Sequence, residues 1–462
     1  MSVDTKKVQM HLKSMLSLGV KQAFCVGDRK INKCDFVKEV ALFQQQCIQN
    51  TSHQKWALCY QNGYQFAVAL FAVLSSGRTP VLLPNNQKGT ITSLSKEYDV
   101  CVSESDYNQL DPCLYESHES LSLEACLHIK SEIVLFTSGS TGEPKKVTCT
   151  LENIFTEVLA LESVFGANMK DKPVYMTVYH QHVYGLIFTI FWPLIMGRVI
   201  CFPVLEYPEN IIDVALKQEA ILVSTPALLK RLDFDLGQDL GQDLKDTIIF
   251  SSGGLLKKSI ADLTAKIFGR YPLEVFGSTE TRGVAYRQQT SEKSKNYWRC
   301  LPGVAIEKIP GTGCLSVMSP FFTEENPFIM GDQVNIFESG EFELLGRVDR
   351  IVKIEEKRVS LTEMEKRLNQ HIYVDEAYAL ALSDHRQYIA VVIILSSLGK
   401  QKLLDLGKLG LNQALQRYLR QYFEGVLLPK RFHYVRMFPV NAQGKILLKD
   451  MQNIFNRNRQ DK

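Results

Sequence analysis

The sequence predicts an α/β protein: a large N-terminal domain of several packed layers, followed by a smaller α+β C-terminal domain. Three observations carry that prediction. The chain of 462 residues is long for one small core and suggests two or three domains. Through the first two thirds, short apolar strand-like runs alternate with helical patterns: WALCYQ, YQFAVALFAVLSSG and PVLLP, then ILVST, PALLKRL and IIFSSGG. Such alternation argues for layers built on largely parallel sheet. Around residues 335–350 the polar, glycine-marked FESGEFELLGRVDR reads as a hairpin and then a boundary. Beyond it AYALALS, YIAVVIIL and a helix near Leu411–Phe423 fit the smaller domain.

Composition narrows the function classes. At 45% hydrophobic and 22% charged residues the chain falls in the ordinary soluble globular range. A net charge of +3 is small for this length and implies no nucleic-acid or polyanion partner. The first residues show no sustained apolar stretch after their lysines, so no secretory signal is expected. GLIFTIFWPLIMG, Gly185 to Gly197, is shorter than a bilayer requires and is interrupted by Pro193. It reads as a core helix under a sheet rather than a membrane span. The eleven cysteines are scattered, with no CxxC pair and no zinc spacing, which points to a reducing, cytoplasmic setting. Cys101, Cys113, Cys126 and Cys149 carry no argument for catalysis. The tandem DLGQDLGQDLKD, Asp235 to Asp246, reads as a solvated loop or helix extension, and the basic tail as a frayed end.

FTSGSTGEPKK, Phe136 to Lys146, packs glycines, hydroxyls and lysines into one loop after the apolar IVLF. A Walker A loop needs GxxxxGK[ST] leading straight into a helix. Here Lys145 follows Gly142 by three positions, and the strand-like KKVTCT comes next. The helix starts only after Thr150, a good N-cap for LENIFTEVLALE. The Walker reading is therefore excluded. Gly139 and Gly142 still allow backbone N–H groups to approach an anion, with Ser138, Ser140 and Thr141 as hydroxyl donors and Lys145 or Lys146 as the charge. Taken alone, the loop fits a phosphate cradle and a polar hairpin tip equally well.

TSGSTGEPKK resembles the signature loop of the adenylate-forming, AMP-binding enzymes: acyl-CoA and aryl-CoA synthetases, luciferases and peptide-synthetase adenylation domains. The resemblance continues in order along nearly the whole chain. VYHQHVYGL is similar to the family's histidine-bearing segment beside the acyl pocket, with His182 ahead of Tyr184 and Gly185. Amino-acid-activating members place an aspartate in this segment to hold the substrate amine; His180, Gln181 and His182 supply no acid. SSGG, Ser251 to Gly254, resembles the SGGA segment that places Gly253 and Gly254 near adenine and the acyl chain. VFGSTE, Val275 to Glu280, resembles YGxTE. That likeness sets Phe276 and Gly277 against adenine, Thr279 at phosphate and Glu280 on Mg²⁺, a cation that takes few carboxylates and completes its shell with phosphate and water. Gly331-Asp332 resembles the GD whose carboxylate accepts from the ribose diol.

GRVDRIVKIEEKRVSLTEMEKRL, Gly346 to Leu368, is similar to the family's hinge block. The likeness assigns Arg347 to the ribose, Asp349 to the hinge and Lys353 to the second half-reaction. Ser360-x-x-Glu363 reads as a capping box, so Glu363 and Glu365 stay outside the chemistry. One position departs: Glu356 stands where the family has the glycine at the pantetheine entrance, which puts free CoA in doubt and favours a carrier-borne acceptor. FPVNAQGKILLKDM, Phe438 to Met451, resembles the closing motif, with Lys445 as catalytic lysine.

What the resemblance implies is an adenylation domain, residues 1–348, and a C-terminal lid domain, residues 349–462. Thr137, Ser138, Gly139, Ser140, Thr141, Gly142 and Lys145 would hold the phosphates of ATP. The implied reaction is ATP- and Mg²⁺-dependent activation of an aryl or fatty carboxylic acid to an acyl adenylate. Transfer follows to the pantetheine thiol of CoA or of an acyl carrier protein. The alternatives are a standalone amino-acid adenylation domain and a non-catalytic ATP-binding relative. Leu255-Leu256 and the Phe188, Phe191, Trp192 cluster would suit an apolar acid, or form core.

Overall fold

The computed structural model describes residues 23–27, 29–109, 127–138, 144–232, 244–291, 296–324, 326–354, 357–383, 387–441 and 446–457. The chain divides into two compact units, Met1–Ile306 with Val317–Phe328, and Glu307–Ser316 with Ile329–Lys462. All of residues 349–462 fall in the second.

The first unit is layered α/β, as the alternating pattern predicts. A nine-stranded sheet runs Arg299–Cys300, Arg282–Gln288, Leu273–Ser278, Thr247–Ser251, Ala220–Ser224, Val174–Met176, Ile200–Phe202, Ala23–Val26 and Arg29–Asn32 in spatial order. Its interior pairings, from Leu273–Ser278 across to Ala23–Val26, are parallel; the pairings at both edges are antiparallel. A five-stranded sheet runs Val100–Ser103, Lys55–Cys59, Thr79–Leu82, Glu132–Ser138 and Pro144–Thr150. Ala220–Ser224 and Thr247–Ser251 are buried at every position, which is why they read as unbroken apolar runs rather than alternation.

The main core lies between the two sheets. It is filled by the helices Lys33–Gln49, Gly63–Ser75 and Leu151–Met169 and by the apolar run at Leu186–Ile195. Gly63–Ser75 is buried almost all round, the expected state of a helix with no polar face. The outer face of the large sheet is covered by Pro208–Lys217 and Lys258–Phe268, and a smaller cluster lies on the other face of the five-stranded sheet. The run Gly185–Gly197 is a core helix as expected, with a π-helical stretch at Leu186–Phe191. Among the described residues no helix is long and apolar enough to cross a membrane.

The second unit is α+β. It holds the hairpin Phe328–Ile336 with Phe342–Arg347, a two-stranded ribbon, Ile351–Ile354 with Lys357–Ser360, and a three-stranded sheet, Val374–Ser383, Gln387–Leu395 and Arg431–Val435. Leu361–Asn369 and Ser397–Leu419 pack on one face of that sheet and Leu448–Arg457 on the other. Ser360 caps Leu361–Asn369 by accepting from the Glu363 N–H, one half of the capping box read from the sequence, while the Glu363 carboxylate pairs with Arg367 at 2.7 Å.

Candidate active site

The phosphate-like loop joins two antiparallel strands. Thr137 lies opposite Lys145 and Ser138 opposite Pro144, so the chain leaves the loop as a strand. Thr150 then caps the helix Leu151–Met169 by accepting from the Asn153 N–H. Gly139, Ser140, Thr141 and Gly142 lie outside the described residues. The two lysines part company: the ammonium of Lys146 meets Glu97 at 3.2 Å. That of Lys145 sits 3.3 Å from Oε1 of Glu280 and 5.5 Å from the centre of the Phe328 ring.

Glu280 comes from the tip of the hairpin between Leu273–Ser278 and Arg282–Gln288. The ladder slips between Phe276 and Gly277, and a Cβ on Gly277 would lie 1.9 Å from the Arg282 carbonyl oxygen. Glycine is needed there because the two backbones nearly touch. The Ser278 N–H donates to the Thr281 hydroxyl at 3.0 Å, and the Thr281 N–H donates to the Ser278 hydroxyl at 3.1 Å. These two reciprocal hydrogen bonds present Thr279 and Glu280 at the apex. Phe276 packs on Trp298, ring centres 5.5 Å apart, and Trp298 in turn carries the Arg287 guanidinium 4.4 Å above its face.

The histidine segment follows the strand Val174–Met176, at the carboxyl end of parallel strands where open α/β sheets place their ligands. Gln181 and His180 both reach the carbonyl oxygen of Tyr60, at 2.9 and 3.2 Å. His182 is half-buried and opens the helical turn, its carbonyl accepting from the Leu186 N–H at 2.7 Å. Gly185 is also a close-approach glycine, since a Cβ would lie 2.1 Å from the Tyr179 carbonyl oxygen. The Tyr184 ring packs 4.8 Å from Phe188, and burial holds its hydroxyl well above the ordinary phenol range. Phe188, Phe191 and Trp192 are core, as is Leu256, whereas Leu255 is 71% exposed. Gly253 adopts the left-handed φ of +85°, which suits glycine at this strand-to-helix turn.

Burial pushes the His180 imidazole down to about 3, with the Tyr60 carbonyl opposing. The folded chain keeps the ring neutral while the unfolded chain protonates it below its ordinary value of 6.5. The unfolded state therefore binds more protons between those values, and stability falls as pH drops from 6.5 toward 3. The expected loss is about 1.4 kcal/mol per pH unit within that window. Urea unfolding at pH 7.5 and 5.5 checks it: His180→Asn should show the weaker pH dependence, and equal slopes would count against the buried neutral ring.

In the second unit Asp332 and Arg347 sit opposite each other across the hairpin, joined at 2.9 Å. A Cβ on Gly331 would meet the Arg347 guanidinium at 2.9 Å, so this glycine makes room for the pair. Asp349 lies in the 3-10 turn Val348–Arg350, and Lys353 stands in the strand Ile351–Ile354 opposite Arg358. Glu356 and Lys445 lie outside the described residues. Glu365 is tied to Arg350 and accepts from the Ala379 N–H at 2.7 Å, a structural role consistent with leaving it out of the chemistry.

Among the described residues no three His, Cys, Asp or Glu side chains gather at metal-binding spacing. A lone hard carboxylate such as Glu280 fits a cation held chiefly by phosphate and water, and does not fit a protein-caged metal.

Comparison with known proteins matches the same segments. A family model described as "AMP-binding enzyme" matches residues 122–309, which contain the loop hairpin, the histidine segment, Gly253-Gly254 and the Glu280 turn. Residues 122–309 thus match the AMP-binding enzyme family. Malonate–CoA ligase of Arabidopsis thaliana is 24% identical over 368 residues, 69% of this chain and 60% of that protein. The dimodular nonribosomal peptide synthase of Bacillus subtilis is 25% identical over 370 residues, 69% of this chain and 15% of that much longer protein. The chain thus spans less than two thirds of the length of these relatives. The ATP-bound structure of MatB from Rhodopseudomonas palustris matches with TM-score 0.74 at 16% identity, covering 98% of this chain and 99% of that one. The Bacillus subtilis o-succinylbenzoate CoA synthetase, solved with ATP and magnesium ion, gives 0.74 at 14% identity, 96% and 99% covered. At these identities the structural likeness establishes the fold.

Within the matched segment, the motifs do not include the residues that buttress them. Trp298 under Phe276, and Glu157 behind the Glu280 turn, carry no motif of their own. The available signal was a charge inside an apolar pattern: Glu157 in IFTEVLALE and Arg282 opening RGVAY.

Proposed function

We propose that the chain activates a carboxylic acid, aryl or fatty, as its acyl adenylate and then passes the acyl group to a pantetheine thiol. The observation that carries this reading is Lys145 beside Glu280 at 3.3 Å, the family's phosphate-loop lysine and its acidic residue brought together across 135 positions of sequence. In this reading residues 1–348 form the adenylation domain and residues 349–462 the lid, hinged at Asp349.

The acid carboxylate attacks the α-phosphorus of ATP, the bond to the bridging oxygen breaks, and pyrophosphate leaves. Thr137, Ser138, Gly139, Ser140, Thr141, Gly142 and Lys145 hold the β- and γ-phosphates, with Phe276 and Gly277 at adenine, Thr279 at phosphate, and Asp332 and Arg347 at the ribose. Mg²⁺, held by Glu280, supplies charge neutralisation on the phosphates when bound. Lys445 serves the same end as a long, mobile point charge at the reacting centre. Tyr184, Gly185, Gly253 and Gly254 line the acid site with His182 beside it. Positioning and charge stabilisation, rather than a covalent enzyme intermediate, supply the rate. In the second half-reaction the lid turns about Asp349 and presents Lys353, a pantetheine thiol attacks the acyl carbon, and AMP departs.

Glu356 decides between acceptors in this scheme, because a carboxylate replaces the glycine at the thiol entrance and favours a carrier protein over free CoA. A panel of aryl, fatty and amino acids, assayed for ATP–pyrophosphate exchange and for thioester formation with CoA and with a phosphopantetheine carrier, tests the reading. An amino acid as best substrate would return the peptide-synthetase alternative. No exchange with any acid, together with no ATP binding, would return the non-catalytic one. Glu356→Gly should raise the CoA-dependent rate by about tenfold, or 1.4 kcal/mol; an unchanged rate removes the argument for a carrier.

A further inference from the structure

The turn that presents Glu280 is gripped from behind by a buried ion pair. Arg282 leaves the hairpin in the left-handed region, φ +63°, a conformation that a long side chain rarely adopts. Its Nε–H donates to Oε2 of Glu157 at 2.8 Å, while Oε1 of the same carboxylate accepts from the Gly283 N–H at 2.9 Å. Both side chains are almost fully enclosed, 1% and 4% exposed. One carboxylate thus clamps two consecutive residues of the strand that leaves the turn. A buried carboxylate with a fixed guanidinium and a backbone donor tolerates little displacement, because any movement leaves an uncompensated charge inside the protein. The same clamp holds the Arg282 carbonyl that nearly touches Gly277 on the incoming strand.

Glu157 belongs to the helix Leu151–Met169, which continues directly from the strand carrying Lys145. One strand-helix unit therefore touches the Glu280 turn twice: Lys145 at the apex and Glu157 at the base. We propose that Glu157 and Arg282 are positioning residues that fix the Glu280 carboxylate for the metal-bound nucleotide. The proposal rests on the adenylating reading above and goes beyond it, since neither residue touches ATP.

A clamp that acts through Glu280 weighs on metal-bound ATP more than on metal-free ATP, which loses only what Thr279 on the same turn supplies. A merely structural pair, once broken, weakens all nucleotide binding alike. Calorimetric titration of ATP into the full chain, with magnesium and with a chelator, separates the two. Glu157→Gln should weaken binding of magnesium–ATP about tenfold and that of metal-free ATP by a clearly smaller factor, about twofold, with the melting temperature recorded alongside. Equal weakening of both forms, or no change in either, overturns the proposal. Arg282→Lys keeps the buried cation and removes the fixed Nε–H, so it serves where Glu157→Gln does not fold. It should show the same selective loss at about threefold. Wild-type chain that takes up no magnesium–ATP sinks the nucleotide reading and the clamp with it. Wild type whose preference for the metal-bound form survives both substitutions sinks the clamp alone.

Discussion

Lys445→Ala is expected to lower acid-dependent ATP–pyrophosphate exchange by about a hundredfold to a thousandfold, while thioester formation from preformed acyl adenylate stays near the wild-type rate. The reason lies in where charge accumulates. When a carboxylate attacks a phosphate, two anionic groups are driven together, and the enzyme must supply positive charge at the moment of approach. Lys145 is already engaged with Glu280, and Lys146 with Glu97. In the proposed reading the closing GK motif supplies that charge, with Lys445 as a long flexible cation. The second half-reaction expels AMP from an acyl carbon and gathers no such charge. Equal loss in both assays would refute the division of labour between Lys445 and Lys353.

Gly277→Ala carries the second large effect, and it follows from geometry alone. The new methyl would lie 1.9 Å from the carbonyl oxygen of Arg282 and 2.9 Å from its carbonyl carbon. Both contacts are backbone, and that backbone is tied down through Gly283 to Glu157. The hairpin must open, at about 1–3 kcal/mol of stability for overpacking of this kind. The apex carrying Thr279 and Glu280 moves with it, and a shift of about 1 Å at a phosphate-positioning group costs about a hundredfold in rate. Gly89→Ala is the matched control, because nothing lies within 4 Å of its added methyl. Thermal melting and the exchange assay on the two variants check the prediction. A Gly277→Ala chain as stable and active as Gly89→Ala would mean that the tight turn is not needed.

The fold was legible wherever structure depends on neighbours in sequence. Alternating apolar runs announced the layers of the first unit, and the hairpin and the paired strands Val374–Ser383 and Gln387–Leu395 of the second followed from FESGEFELLGRVDR, AYALALS and YIAVVIIL. The ribbon Ile351–Ile354 with Lys357–Ser360 and the third strand Arg431–Val435 did not. Thr150 and Ser360 were recognisable as caps because a hydroxyl satisfies the free N–H groups of the next turn within its own few residues. Trp298, beneath Phe276, belongs to no such pattern, and its role depends on which strands become neighbours.

By itself, then, the sequence determined the order of the motifs and the exit of the phosphate loop into a strand, which removes the Walker reading. It also showed the absence of an acid from the histidine segment. Each of these is a property of a short stretch, set by local turns, periods and residue types. Only the tertiary structure decided that Lys145 rather than Lys146 faces Glu280, that burial keeps His180 neutral, and that Glu157 clamps Arg282. Those pairings join residues 135, 120 and 125 positions apart. They exist because the two sheets and the helix Leu151–Met169 bring remote segments together, where a low-dielectric interior makes each polar contact strong when paired and costly when not.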